Sequence, residues 1–125
     1  MNIFPFLKKA DRPSDEAQDC VDRIVELLGR FKLRRDFTRN QYKKVQMAGG
    51  LLYNIPYKQG DSEGYIEFTH FFSTASIKVV KYYKRGEEEK AEDLIGKFQC
   101  PSYTGWQNNI ISWLERFLHS KKDLL

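Results

Sequence analysis

The sequence predicts an α+β fold in which an antiparallel β-meander sheet of four to five strands is packed by an N-terminal and a C-terminal helix. Apolar residues recur at helical spacing near both ends of the chain, over about residues 15–28 and 105–118. Between these stretches, residues 51–84 alternate and are rich in β-branched and aromatic side chains, as strands are. The 125-residue length suits one domain, and the 41% hydrophobic content is enough for a core.

The first helix is predicted from a capped start and a regular apolar stripe. Ser14 is the expected N-cap, and Asp15 and Glu16 suit the positive end of a helix. Gly29 is the expected stop, and residues 1–13 are expected to be a tail. The stripe consists of Ala17, Cys20, Val21, Ile24, Leu27, Leu28 and Phe31.

The middle of the chain predicts a sheet. Residues 31–47 fit a loop, a strand or a short helix equally well. Alternation over 51–57 then predicts a strand, and Pro56 places it at a sheet edge because proline cannot donate to a ladder. Residues 65–72 and 76–84 are expected to pair as antiparallel strands.

The last third of the chain predicts one further element and the second helix. Residues 88–100 fit a strand, since Leu94, Phe98 and Cys100 share one parity, although a helix is the rival interpretation. Thr104 and Gln107 fit a capping box that opens the second helix. An apolar stripe follows and ends near residue 118, and its central Trp113 is expected to be mostly buried. The single domain is expected to span 14–120, with 121–125 as a C-terminal tail.

Catalytic and metal chemistry have no support in the spacing of the reactive residues. Cys20 and Cys100 form no Cys-x-x-Cys pair, and with His70 and His119 they give no metal-ligand pattern. No nucleophile or carboxylate stands beside His70 in sequence, so a packed or partly exposed strand histidine is favoured over a catalytic one. We therefore expect a protein that is not an enzyme and holds no metal or cofactor.

The same features predict a location. No apolar run approaches the ~20 residues of a membrane helix, and the short apolar N-terminus is unlike a signal peptide. The cysteines are expected to be reduced, with Cys20 in the core. A cytoplasmic protein without membrane association is expected.

Charge is segregated along the chain and suggests a binding surface. A basic segment over 30–44 lies between acidic stretches at 11–26 and 85–93. Alternation places further cations and a tyrosine on one face of the strand over 76–84, and Tyr53, Tyr57, Tyr65 and Phe71 on neighbouring strands could extend that surface. The candidate binding residues are Lys32, Arg34, Arg35, Arg39, Lys43, Lys44, Lys78, Tyr82 and Lys84.

Two functional interpretations follow from this pattern. In the first, the surface binds single-stranded nucleic acid, because aromatic faces stack on bases and lysines contact phosphates. A meander followed by a long helix also resembles, in architecture alone, the single-strand-binding coactivator and Whirly folds. In the alternative, the chain is a protein-binding module such as an inhibitor, an immunity protein or a virus-type accessory protein. The sequence does not specify the oligomeric state.

Overall fold

The computed structural model describes residues 13–33, 42–60, 62–85, 89–121 and 125, without the side chains of 13–14, 84–85 and 89–90. The predicted site residues Arg34, Arg35 and Arg39 lie outside this description. The elements in chain order are α1 (Pro13–Arg30), β1 (Lys43–Met47), β2 (Gly50–Gln59), β3 (Ser62–Phe71), β4 (Thr74–Arg85), β5 (Glu89–Pro101) and α2 (Trp106–Lys121).

The five strands form one antiparallel meander in the order β1-β2-β3-β4-β5. This confirms the predicted α+β class, the strand count and the pairing of β3 with β4. Helix α1 packs on β2 and β3, while α2 packs on β4 and β5 and also contacts α1. Both helices therefore cover the same face of the sheet, and no helix of the described residues covers the other face.

Alternation in the strands supplies the core beneath the helices. In β2, Leu51, Tyr53, Ile55 and Tyr57 all point toward the helices and are buried. A run of stacked rings then crosses the layer: the ring centroids of Tyr53 and Phe68 are 6.0 Å apart. Those of Phe68 and Trp106 are 5.9 Å apart. The stack ties the centre of the sheet to the first turn of α2.

The two tryptophans of α2 differ in burial, and the prediction that Trp113 is mostly buried between helix and sheet is confirmed. Trp106 is buried more completely, because the helix begins over the centre of the sheet. Trp113 lies further along α2, over the edge strand β5, where it stacks on Phe98 with the centroids 5.9 Å apart. It lies at the margin of the core and keeps part of its surface exposed, because no described strand lies beyond β5.

The prediction that Pro56 marks an edge strand is also wrong, since β1 pairs with β2 and takes the edge position. The pairing ends where Lys43 meets Asn54, so Pro56 lies beyond the end of β1. The Lys58 N–H, two residues later and on the same side, donates to the Leu33 carbonyl at 2.8 Å. Proline is tolerated because no described strand would accept a hydrogen bond from its position.

A β-bulge in β5 changes which side its residues face. The register shifts at Val79–Val80, because Val79 pairs with Gly96 and Val80 with Leu94, leaving Ile95 as the extra residue. The prediction of a strand here is confirmed. The prediction that Leu94 shares a side with Phe98 and Cys100 is wrong, because the bulge turns Leu94 away from the helices.

The helix starts also differ from their predictions. Helix α1 begins at Pro13, so Ser14 lies within the first turn and is not the cap. In α2, the Asn109 N–H donates to the Gly105 carbonyl, which makes Gly105 the N-cap in place of Thr104.

Gln107 connects the two helices instead of closing a capping box. Its Nε2 donates to the Glu16 carbonyl at 3.0 Å. Its Oε1 accepts from Arg23 Nη1 at 2.8 Å. A polar side chain that the sequence assigned to a local cap therefore fixes the packing of α2 against α1.

Both cysteines are buried, and burial raises the pKa of each thiol. The prediction that Cys20 lies in the core is confirmed. Within the described part of the chain, neither helix is long and apolar enough to cross a bilayer.

Lys32, one of the predicted site residues, ends helix α1. Its φ of 60° is the left-handed conformation that glycine favours. The Lys32 N–H donates to the Gly29 carbonyl at 3.0 Å, and the Leu33 N–H donates to the Leu28 carbonyl at 2.9 Å. These are the two hydrogen bonds of a Schellman motif.

Replacing Lys32 with glycine is expected to raise the free energy of unfolding by about 1 kcal/mol, because a side chain in the left-handed region is strained. Urea denaturation measures this change in the free energy of unfolding. As a control, Arg30→Gly places a glycine within the last turn of the helix and should lower the free energy of unfolding by about 1 kcal/mol. A lower stability for Lys32→Gly would show that its side chain makes contacts that outweigh the strain.

Candidate functional site

The sheet face that no described helix covers is the candidate site, and we call it the open face. Its centre is a row of apolar side chains that crosses four strands, which we call the apolar row: Pro56, Tyr65, Val80 and Leu94. The row follows from register, because Pro56 pairs with Tyr65, Tyr65 with Val80, and Val80 with Leu94. Cross-strand partners lie on the same face of a sheet.

The apolar row combines packed and exposed side chains. Val80 is only 6% exposed although no described helix lies above it, because its register partners Tyr65 and Leu94 flank it. Leu94 is 49% exposed. The rings of Tyr65 and Tyr82 lie beside each other with centroids 5.6 Å apart and planes at 49°. The row therefore joins two exposed side chains at its ends, Pro56 and Leu94, through the partly exposed Tyr65 and the buried Val80.

Charged rows border the apolar row on both sides. On one side, which we call the Lys78 row, the register aligns Lys43, Asn54, Glu67, Lys78 and Lys97. On the other side, which we call the Glu92 row, lie Lys58, Glu63, Tyr82 and Glu92. Lys58 and Glu63 form an ion pair at 3.8 Å. Both rows carry charges of both signs.

Tyr65 and Glu92 link the apolar row to its border. Tyr65 Oη donates to Glu92 Oε2 at 2.9 Å. Burial, together with this hydrogen bond and the charge of Glu92, raises the pKa of Tyr65 to about 12. Burial and the charges of Glu92 and Glu63 also raise the pKa of Tyr82. Both phenols are therefore neutral donors at physiological pH.

The structure brings together only part of the predicted site. Lys43, Lys78 and Tyr82 share the open face. Lys44 lies on the helix-covered side, where its Nζ is 5.8 Å from the centroid of the Tyr53 ring. Lys32 ends α1 and is not in the sheet. Lys84 is paired with Lys90 in the register of β4 and β5.

Two further expectations for this surface are wrong, and several of its residues were missed. Tyr53 and Tyr57 are buried beneath the helices, because β2 turns its odd-numbered residues toward the core. The residues missed are Leu94, Lys97 and Glu92, all from β5. The bulge at Ile95 breaks the two-residue period that would have grouped them, so no simple alternation could have found them.

His70 has a structural position at the end of β3. Its Nε2 lies 2.9 Å from Ser102 Oγ, and its ring stacks on Trp106 with centroids 4.3 Å apart. The packed strand histidine favoured by the sequence is confirmed by its burial. Ser102 is distant from His70 in the sequence, so the sequence did not predict this contact. The contact holds the connection between β5 and α2 against the sheet.

A second exposed aromatic pair lies where two loops meet. Phe72 is 83% exposed in the turn after β3, and Tyr103 is 76% exposed before α2. The two loops are joined by the Ser102 N–H, which donates to the Ser73 carbonyl at 3.0 Å. These rings belong to turns and lie outside the rows of the open face.

No group of three or more histidine, cysteine or acidic residues that could hold a metal occurs among the described residues. Comparisons with known proteins add no relative: no family model matches the chain, and neither the curated proteins nor the solved structures yield a match.

Replacing Glu92 with alanine is expected to lower the pKa of Tyr65 from about 12 part of the way toward 10.0, because burial, the largest cause of the shift, remains while the acceptor and the negative charge are removed. An alkaline absorbance titration, with Tyr65→Phe to assign the transition, measures the shift. Folding raises this pKa, so the stability that Tyr65 contributes is complete below pH 10.0 and is lost as the pH rises toward about 12. An unchanged transition would contradict the hydrogen bond.

Proposed function

We propose that this chain is a non-enzymatic protein-binding module whose open face docks a protein partner. The observation that supports this most is the apolar row, a strip across four strands that is bordered on both sides by charges. Protein interfaces have this arrangement, in which an apolar centre rich in aromatic residues is surrounded by a polar, solvated rim.

The side chains of the row suit a binding surface. Tyr65 and Tyr82 offer large rings with few rotatable bonds, and their hydroxyl groups can still exchange hydrogen bonds. Leu94 leaves nearly half of its surface in water. Because it points away from the helices, packing of the core does not require an apolar residue at this position. Burial by a partner would gain the hydrophobic free energy that the isolated chain leaves unused.

The distribution of charge favours a protein over a polyanion. Glu67 pairs with Lys78 in the sheet, and Glu92 pairs with Tyr82. These acids lie among the lysines of the same face and would repel phosphates. A protein surface can match charges of both signs, and such matching supports specificity.

Single-stranded nucleic acid is the second candidate, and one observation favours it. Lys78 and Lys97 are direct register partners, and like charges directly opposite each other destabilise a sheet. A bound phosphate would relieve that repulsion, and Tyr82 is close enough along β4 to stack on a base.

Leu94→Glu tests the proposal, because it places a charge in the apolar row at a position that the core does not use. Proteins captured from the native lysate by the immobilised chain are compared for wild type, Leu94→Glu and the control Ser112→Glu on the exposed side of α2. We expect a specific protein that is retained by wild type and Ser112→Glu and lost with Leu94→Glu. Retention by all three variants would contradict docking at the open face.

The same proteins distinguish the second candidate in a fluorescence titration with a labelled oligonucleotide at two salt concentrations. Nucleic-acid binding would give an affinity that falls with salt, by a log–log slope of about −0.7 per phosphate contact. Lys78→Ala with Lys97→Ala would flatten that slope. Tyr82→Ala would weaken binding by roughly 1–3 kcal/mol at both salt concentrations. The protein-binding proposal predicts no salt-dependent binding of this kind.

A further inference from the structure

We infer that the partner at the open face is a second copy of this chain, packed face to face about a twofold axis that runs along the apolar row. The inference rests on the proposed function and names the occupant of the same surface. It follows from the register of the charged rows.

The twofold axis fits the geometry of packed sheets. The axis lies midway between the two sheets, parallel to them and perpendicular to the strands. A rotation of 180° about it places each strand above the same strand of the second copy, running in the opposite direction. The strands of the two sheets then run nearly in line, as in aligned sheet packing. Each residue of the apolar row meets the row of the second copy, so Val80 and Leu94 are covered by apolar atoms.

The same rotation exchanges the two charged rows. The Lys78 row of one copy then faces the Glu92 row of the other. On β5, Lys97 of each copy faces Glu92 of the other, and both side chains are exposed in the single chain. The symmetry makes this contact twice, as an interface between identical surfaces requires.

The remaining positions of the two rows are compatible with this pairing. Lys78 faces Tyr82 of the second copy, and Glu92 of that copy lies next to Tyr82. The repulsion between Lys78 and Lys97 within one chain is therefore relieved by an acid of the other chain. Glu67 faces Glu63, but Glu63 carries Lys58 at 3.8 Å, so Glu67 meets a cation beside the acid.

Under this axis the two copies overlap through β2 to β5 only, because β1 has no residue on the far side of the apolar row. With strands ~4.8 Å apart and ~3.3 Å per residue, the overlapping part of these four strands covers roughly 500 Å² on each copy. Interfaces that bury less than ~1,200 Å² in total are typical of weak complexes. A weak dimer that forms at high protein concentration is therefore expected.

Charge reversal tests the symmetry directly. Lys97→Glu places two acids opposite each other in its own dimer, and Glu92→Lys places two lysines opposite each other. In a mixed dimer of the two variants, the introduced acid of Lys97→Glu faces the introduced lysine of Glu92→Lys. At the second contact, the unchanged Lys97 of one variant faces the unchanged Glu92 of the other. Both contacts of the mixed dimer are then attractive.

Sedimentation equilibrium measures the dissociation constants of wild type, of each variant and of the equimolar mixture. We expect a wild-type dimer, about tenfold weaker association for each variant alone, and recovery to near the wild-type value in the mixture. The controls Asp19→Lys on α1 and Lys121→Glu on α2 lie on the opposite side and should leave association unchanged, singly and mixed. Circular dichroism melting confirms that each variant is folded.

Each other outcome overturns the inference. A wild-type monomer at millimolar concentration excludes the second copy. If Leu94→Glu still loses a captured protein in that case, the proposed function survives with a different protein partner. A dimer whose variants do not recover on mixing excludes this twofold axis. Association that requires an added oligonucleotide assigns the face to nucleic acid.

Discussion

The placement of both helices on one face of the sheet is the constraint on which the rest of the structure depends. Each helix has a single apolar stripe, and the meander offers it one face lined by alternating apolar residues. The stacked rings of Tyr53, Phe68 and Trp106 hold the two layers together. Both described helices lie on one side of this five-strand sheet, and no described helix covers its other side.

The bulge at Ile95 connects this core to the open face. It lets β5 direct Phe98 toward Trp113 and, a few residues earlier, direct Leu94 outward. Gly96 beside it is required by close packing, since a Cβ there would lie 2.5 Å from the Phe117 ring. The same irregularity therefore seats α2 on the sheet and completes the apolar row.

Much of the fold follows from local patterns in the sequence. The helical stripe of α1 and the alternation in β2, β3 and β4 were sufficient to predict the class and the meander. Register, the bulge and long-range contacts were not accessible in this way. Gln107 looked like a cap but binds Glu16 and Arg23, because a local pattern carries no information about a partner 91 or 84 residues away.

The candidate site was predictable only in part for the same reason. Lys43, Lys78 and Tyr82 share the open face, as alternation along each strand suggests. Lys44 does not, because a neighbouring residue in a strand points to the opposite side. The rows themselves exist only across strands, so their charges could not be grouped before the pairing was known.

Methyl NMR on a dilution series tests most directly whether the open face is the interaction surface. The Leu94 and Val80 methyl signals should shift as the protein is diluted from millimolar to micromolar concentration. The methyl signals of Ile24 and Leu114, which are buried beneath the helices, should stay fixed. Shifts confined to residues of α1 and α2, with Leu94 and Val80 unchanged, would contradict interaction at the open face.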